Sequence, residues 1–141
     1  EKKGKEQARA AYRFDRVLAD VPCSGDGTLR KSPDLWKKWS PASGVDLHTL
    51  QLEIATHAAR LLKVGGRLVY STCSLNPLEN EAVVAALLTR SRGALKLADV
   101  SGELEGLRRR PGMHDWEVGD VFGWHASPNG GGRRQGKRPV E

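Results

Sequence analysis

The chain has 141 residues, 38% of them hydrophobic and 28% charged, which predicts a single domain with polar ends. Its 23 Lys and Arg against 17 Asp and Glu give a net charge of +6, which suits a polyanionic partner. Two cysteines without a Cys-x-x-Cys pair argue against a disulfide scaffold and a cysteine zinc site. We expect no membrane span and no secretory signal, and the absence of an initiator Met predicts a fragment.

A charged lead-in, residues 1–13, precedes the first predicted element. Phe14–Val21 contains a short apolar run that stops at the sequence PCSGDG, as a buried strand does when it ends in a turn. Residues 29–40 are basic and contain two tryptophans, and they favour a loop with a short helix.

A helix and a second strand are predicted next. Ser40 or Asp46 suits the N-cap position, and Pro41 suits the first helical turn. We expect this helix to end at Gly65 and Gly66 and residues 67–71 to form a second buried strand. Apolar residues three and four positions apart predict the buried face of the helix: Leu47, Leu50, Ile54, Ala58 and Leu61.

The chain after the second strand predicts one more helix and one more strand. Asn76 is suited to cap the helix, Pro77 to its first position, and Glu79 to the carboxylate of a capping box. Alternation over Ala94–Val100 predicts a third strand. The expected buried stripe of the helix comprises Val83, Val84, Leu87 and Leu88.

The alternation of strands and helices predicts an α/β fold with a mostly parallel sheet. Cys23 follows the first predicted strand and Cys73 follows the second. In open α/β sheets, ligands bind beyond the carboxyl ends of the strands, and those ends share one edge when the strands are parallel. We therefore expect the two thiols to face the same cleft.

Two motifs carry a resemblance to a known family. The sequences DVPCSGDGT (residues 20–28) and STCSLNP (residues 71–77) closely resemble those of the RNA cytosine-5-methyltransferases of the Sun-domain family. That family pairs a Pro-Cys motif after one strand with a Thr-Cys motif after the next. LENEAVV (residues 78–84) is also similar, and RK (30–31), WKKW (36–39) and LQL (50–52) resemble the eukaryotic tRNA-methylating branch.

The resemblance implies the C-terminal half of a Rossmann-like class I methyltransferase fold. Residues 14–127 would form this partial domain, residues 128–141 a disordered Gly- and Arg-rich tail. The family's Gly-rich cofactor loop would lie upstream, so we expect the isolated chain to be inactive. The resemblance also implies S-adenosylmethionine as cofactor, tRNA as the RNA substrate, a monomer without a metal, and a location in the nucleus, including the nucleolus.

The resemblance assigns roles to three residues. Cys73 would be the nucleophile that adds to carbon-6 of cytosine, and Cys23 would assist breakdown of the covalent adduct and release of product. Asp20 would help to hold S-adenosylmethionine near the base. DNA cytosine methyltransferases use the Pro-Cys thiol as nucleophile instead, so the presence of both motifs favours RNA.

Several alternatives stay open on the sequence alone. Each cysteine could be a buried apolar residue, Asp20 could cap the following turn, and residues 24–27 could form a plain turn or a phosphate cradle. A non-catalytic RNA-binding remnant is the alternative to an enzyme. One basic segment could grip phosphates and stack bases or form a solvated face: Arg30, Lys31, Trp36, Lys37, Lys38 and Trp39.

Overall fold

The computed structural model describes residues 13–120 and 123–126. Strands β1 and β2 pair in parallel, and the longest helix, α2, makes the connection between them. A second pair, β3 and β4, is antiparallel. The predicted parallel α/β arrangement is thus confirmed for the first two strands. In chain order the elements are β1 (Phe14–Asp20), α1 (Leu35–Lys38), α2 (Pro41–Arg60), β2 (Leu62–Ser71), α3 (Glu81–Ser91), β3 (Glu117–Asp120) and β4 (Gly123–Ala126).

The core lies between one face of the β1–β2 sheet and the helices α2 and α3. Leu68 and Tyr70 of β2 pack against both groups of buried residues. Burying these aliphatic side chains supplies the main favourable contribution to folding. One group comprises Leu52, Ala55, Val83 and Leu87, and the other Ala19, Val21 and Ala58.

The predicted buried face of α2 is partly wrong. Leu50 is 44% exposed, whereas the next residue, Gln51, is completely buried. Ala58 is buried as predicted. The face is rotated because the Gln51 side chain binds polar groups of the strand-end loops, a role that an apolar pattern does not reveal.

The opposite face of the β1–β2 sheet is open in the described part of the chain. Leu18 is 68% exposed and Val69, its partner in the register, is 51% exposed. The prediction of two fully buried strands is therefore wrong for this outer face. The helices cover only the inner face, on which Ala19, Leu68 and Tyr70 lie.

Helix α2 ends at Arg60 rather than at the predicted Gly65 and Gly66. Strand β2 already begins at Leu62, and the register with β1 shifts between Phe14 and Arg16. Gly65 has a φ of 78°, and a Cβ on Gly66 would lie 2.9 Å from the carbonyl oxygen of Lys63. The two glycines therefore serve an irregularity inside the strand, where a bulge needs residues without side chains.

Helix α3 begins at Glu81, four residues after the predicted start at Pro77. Asn76 caps the turn that lies between it and α3 and not the helix itself. Its side-chain oxygen accepts a hydrogen bond from the backbone N–H of Leu78 at 3.0 Å. Glu79 is no capping-box residue, because its carboxylate points into the strand-end loops. The predicted stripe is confirmed at Val83 and Leu87, which are buried.

The predicted third strand at residues 94–100 is wrong, since this segment is irregular. Leu95 packs against the buried residues of α2 and α3, while Leu97 is 76% exposed. The segment thus contacts the helix layer, and among the described strands none pairs with it. In this segment it is Leu95 that packs against the core, so the alternation of apolar and polar residues does not indicate a strand.

The remaining domain predictions fall largely outside the described residues. The charged lead-in, apart from its last residue, and the tail at 128–141 belong to this group. Within the residues that the structure describes, no helix is long and apolar enough to cross a membrane.

Candidate active site

The two cysteines lie side by side at the carboxyl ends of β1 and β2. Their sulfur atoms are 3.2 Å apart, although the residues are 50 positions apart in sequence. The parallel register pairs Asp20 with Ser71 at the ends of the strands, so both loops leave the sheet at the same edge. The expectation that parallel strand ends bring the two thiols together at one edge of the sheet is confirmed.

Backbone contacts hold the two cysteine loops against each other. The N–H of Gly27 donates to the carbonyl oxygen of Cys73 at 3.0 Å, and the N–H of Leu75 donates to the carboxylate of Asp26 at 2.8 Å. A Cβ on Gly27 would lie 2.6 Å from the Cys73 oxygen, closer than real Cβ contacts allow. Only glycine fits this approach of one loop to the other.

A buried carboxylate joins the residues that follow each cysteine. Glu79 is completely buried, and its Oε1 accepts hydrogen bonds from the N–H of Ser24 at 2.7 Å and from Nε2 of Gln51 at 3.0 Å. Its Oε2 accepts from the hydroxyls of Ser24 at 2.5 Å and of Ser74 at 2.7 Å. Burial alone raises the pKa of Glu79, but the hydrogen bonds from Ser24, Ser74 and Gln51 outweigh it and leave the pKa lowered. The carboxylate is therefore ionised at neutral pH.

A second hydrogen bond of Gln51 and two further side chains, Trp39 and Tyr70, extend this network. Gln51 also donates to the carbonyl oxygen of Pro22 at 2.9 Å, and the indole N–H of Trp39 donates to the hydroxyl of Ser24 at 2.9 Å. The hydroxyl of Tyr70 donates to the backbone oxygen of Glu79 at 2.6 Å. Burial raises the pKa of Tyr70, and the charge of Glu79 raises it further, so this hydroxyl keeps its proton.

The two thiols differ in their surroundings. Cys73 is exposed, whereas Cys23 is half-buried. Burial raises the pKa of Cys23, the neighbouring Cys73 thiol raises it further, and backbone hydrogen bonds only partly offset the two effects. Cys23 is therefore held in its protonated form, with Cys73 at hydrogen-bonding distance.

Asp20 ends β1 on the outer face of the sheet. Its Oδ1 accepts a hydrogen bond from the hydroxyl of Ser71 at 2.8 Å, and the side chain is exposed. This contact runs across the two strands. In the described residues, no N–H of the following turn donates to Asp20, so the turn-cap alternative is not what the structure shows.

The segment after Cys23 behaves as a turn and not as a phosphate cradle. The N–H groups of Gly27 and Thr28 are already used, by Cys73 and Gly25 respectively. Of the two tryptophans in the basic segment, Trp39 is tied to Ser24, whereas Trp36 is 71% exposed. The four cationic side chains of this segment are all exposed: Arg30, Lys31, Lys37 and Lys38.

Sequence reasoning missed Glu79 and Gln51 as members of the site. A usable signal was present, because Cys23 and Cys73 are each followed by a serine, and equivalent strand ends bring those serines together. Glu79, which binds the hydroxyls of both serines, lies in a stretch whose sequence is typical of a helix start. Across residues 13–120 and 123–126, no group of three His, Cys, Asp or Glu side chains could hold a metal ion.

Comparison with known proteins assigns the family. The sequence model of the protein family described as "16S rRNA methyltransferase RsmB/F" matches residues 2–110. The chain is 59% identical over 114 residues to a "Multisite-specific tRNA:(cytosine-C(5))-methyltransferase trm4b" of Schizosaccharomyces pombe, a match that covers 81% of the chain and 17% of the relative. It is 53% identical over 111 residues to a "tRNA (cytosine(34)-C(5))-methyltransferase" of Drosophila melanogaster, which covers 79% of the chain and 15% of the relative.

A solved structure agrees with the fold. The crystal structure of PH0851 matches 54% of the chain and 17% of its own length, with 41% identity and a TM-score of 0.52. The chain thus spans about a sixth of the length of the relatives and the structure that it matches. With the family model covering most of the chain and both cysteine loops, the chain belongs to the 16S rRNA methyltransferase RsmB/F family.

Proposed function

We propose that the protein carrying this chain methylates carbon-5 of cytosine in RNA, with tRNA as the substrate. The observation that carries this proposal is the contact between Cys23 and Cys73, 3.2 Å apart at the ends of two parallel strands, in a chain of this family. The relatives from S. pombe and D. melanogaster are both named as tRNA cytosine-C5-methyltransferases. The net charge of +6 suits a nucleic-acid substrate.

Cys73 is the nucleophile in this proposal. Carbon-5 of cytosine is a weak nucleophile, and addition of a thiolate to carbon-6 makes it reactive by moving the electron pair of the 5,6 double bond onto carbon-5. The exposed Cys73 can reach a base that has left its stack, whereas Cys23 is half-buried and its pKa is raised. Because the thiolate is the reactive form, the raised pKa makes Cys23 a poor nucleophile.

Cys23 serves the last step. After carbon-5 has gained its methyl group, a solvent water molecule takes the carbon-5 proton; the electron pair of that C–H bond restores the 5,6 double bond, and the bond between carbon-6 and the Cys73 sulfur breaks to release Cys73 as a thiolate. A protonated Cys23 at 3.2 Å can donate a hydrogen bond to the thiolate as it leaves. This contact supports a role for Cys23 in adduct breakdown and product release.

S-adenosylmethionine, when bound, supplies the methyl group as a sulfonium-linked carbon. One residue of the chain is suited to contact this cofactor. Asp20 presents an exposed carboxylate at the edge of the sheet where both cysteine loops begin. The hydrogen bond from Ser71 fixes Oδ1 of Asp20 and orients the carboxylate. We propose that Asp20 accepts hydrogen bonds there and helps to orient the cofactor and the base.

Covalent trapping on a denaturing gel tests these roles. The full-length protein, with tRNA and S-adenosylmethionine, is compared with its Cys23→Ala and Cys73→Ala variants. We expect Cys23→Ala to accumulate a slow RNA–protein band and Cys73→Ala to form none. A band that depends on Cys23 instead would exchange the two roles, and no band from any variant would favour the non-catalytic RNA-binding protein.

The isolated 141-residue chain is proposed to be inactive. It spans only 15–17% of the relatives from D. melanogaster and S. pombe, and Asp20 is its only proposed contact to the cofactor. Calorimetric titration with S-adenosylmethionine should therefore give no binding isotherm. A clear isotherm would contradict this part of the proposal. A location in the nucleus stays a prediction that a tagged full-length protein can test.

A further inference from the structure

We infer that Glu79 is the positioning residue of the thiol pair: its carboxylate locks the Cys23 loop to the Cys73 loop and so sets the distance between the two sulfur atoms. The inference rests on the proposed function, because it concerns the same two thiols. It adds a residue that the local sequence pattern had assigned to a helix start.

The geometry of the carboxylate supports this role. Both serines that it binds are directly bonded in sequence to the cysteines, so each hydrogen bond fixes the residue next to a thiol. Glu79 itself is five residues from Ser74 but 55 residues from Ser24. The carboxylate thus ties together two loops that the chain alone leaves independent.

The chemistry of the contact shows why an acid occupies this position. A buried carboxylate loses its hydration, which costs free energy unless hydrogen bonds replace it. In the described residues, both ion pairs involve other acids, Asp15 and Glu103, so the compensation for Glu79 comes from neutral donors. Hydrogen bonds to a charged acceptor are about twice as strong as neutral ones. A residue chosen for core stability alone would be apolar here.

Two substitutions separate geometry from charge. Glu79→Asp keeps the charge but shortens the side chain by one methylene, so its carboxylate no longer reaches both serines. Glu79→Gln keeps the length: its carbonyl oxygen still accepts from the Ser24 N–H and from Gln51, and its NH₂ group donates to the two hydroxyls, which rotate to accept. A positioning role therefore predicts that Gln is tolerated better than Asp.

The first readout is disulfide formation between Cys23 and Cys73, which needs no RNA and no cofactor. Hydrogen peroxide first oxidises one thiol to a sulfenic acid, with release of one water molecule, and the second thiol then attacks that sulfur, closing the disulfide with release of a second water molecule. The rate of this closing step depends on how closely the sulfur atoms are held, and a displacement of about 1 Å can slow an oriented reaction by up to ~100-fold. The rate is followed by the mass of the quenched full-length protein, below the melting temperature of every variant.

We expect Glu79→Asp and Glu79→Ala to slow disulfide formation on the order of 10-fold and Glu79→Gln to slow it by less than about 3-fold. Glu81→Gln is the matched control: it makes the same change two residues further on, where the carboxylate accepts from the N–H of Met113. It should keep the wild-type rate. A role of the charge alone would reverse the order of Asp and Gln, and a role in stability alone would lower the melting temperature and leave all rates equal; either result overturns the inference.

The second readout is the covalent RNA adduct. It is measured in the Cys23→Ala background, where the adduct accumulates. Adding Glu79→Asp there should slow adduct formation while the affinity for tRNA stays unchanged, because the carboxylate is buried away from solvent. If Cys23→Ala forms the adduct and the added Glu79→Asp changes neither adduct formation there nor the disulfide rate of the protein with both cysteines, the inference fails and the proposed function stands. If Cys23→Ala forms no adduct, the proposed function fails, while the disulfide rates still decide whether Glu79 positions the thiols.

Discussion

The edge of the β1–β2 sheet that carries Cys23 and Cys73, the cysteine edge, contrasts with the outer face of the same sheet. The two regions differ in how far the chain's own residues cover them. At the cysteine edge the buried polar side chains hydrogen-bond to residues of both loops and of α2, and a carboxylate is fully enclosed. On the outer face, Leu18 and Val69 lie open. The cysteine edge is therefore assembled from the chain's own residues, whereas the outer face presents apolar surface without a cover in the described part.

The largest expected effect is a difference in stability between substitutions on the covered side and on the outer face of the sheet. In urea unfolding of the 141-residue chain, Leu52→Ala should lower the free energy of unfolding by about 2–5 kcal/mol, because Leu52 is 4% exposed among core residues. Leu18→Ala, its counterpart on the outer face, should change it by at most about 0.5 kcal/mol. Equal costs would show that the outer face is covered in solution and would remove the contrast.

An intermediate effect concerns the approach of one cysteine loop to the other. Gly27→Ala should destabilise the protein by about 1–3 kcal/mol, since the new methyl group would meet the backbone oxygen of Cys73 at 2.6 Å. Gly102→Ala is the control, because nothing lies within 4 Å of its Cβ position. Thermal unfolding of both variants measures the difference. A neutral Gly27→Ala would mean that the loops are looser than the contacts indicate.

The smallest effect is a pH dependence at the cysteine edge. The hydrogen bonds from Ser24, Ser74 and Gln51 leave the pKa of Glu79 below its ordinary value of 4.5 despite burial, so the ionised form stabilises the fold. This contribution is complete above pH 4.5 and is lost as the pH falls through the lowered pKa. The stability difference between wild type and Glu79→Gln should therefore shrink as the pH is lowered from about 6 to about 3.

Salt distinguishes this acid from an exposed one. The hydrogen bond and charge of Arg67 also lower the pKa of Glu103, but that pair is largely open to solvent. The pH effect of Glu103→Gln should vanish in about 1 M salt, where the screening length is ~3 Å, and that of Glu79→Gln should remain. Equal screening of both effects would place Glu79 in contact with solvent.

The sequence could predict the parts that depend on chain order. Two apolar runs and a helix between them predicted β1, α2 and β2, and the rule for parallel strands brought Cys23 and Cys73 together before any distance was known. The predictions failed where a residue's partner lies far along the chain. Glu79 was assigned to a capping box from its neighbours in sequence and Gln51 received no structural role, although both form hydrogen bonds to residues 28 to 55 positions away. The third strand failed for a related reason, since alternation cannot show that a partner strand is present.

The long reach of Glu79 also orders events during synthesis. Glu79 leaves the ribosome 55 residues after Ser24, which corresponds to ~3–11 s at ordinary rates of elongation. The second thiol, Cys73, emerges six residues before Glu79, so the Pro-Cys loop lacks both the second thiol and its carboxylate for most of that interval. The contacts that join the two thiol loops can therefore form only after residues 73–79 have been synthesised, late in the translation of this chain.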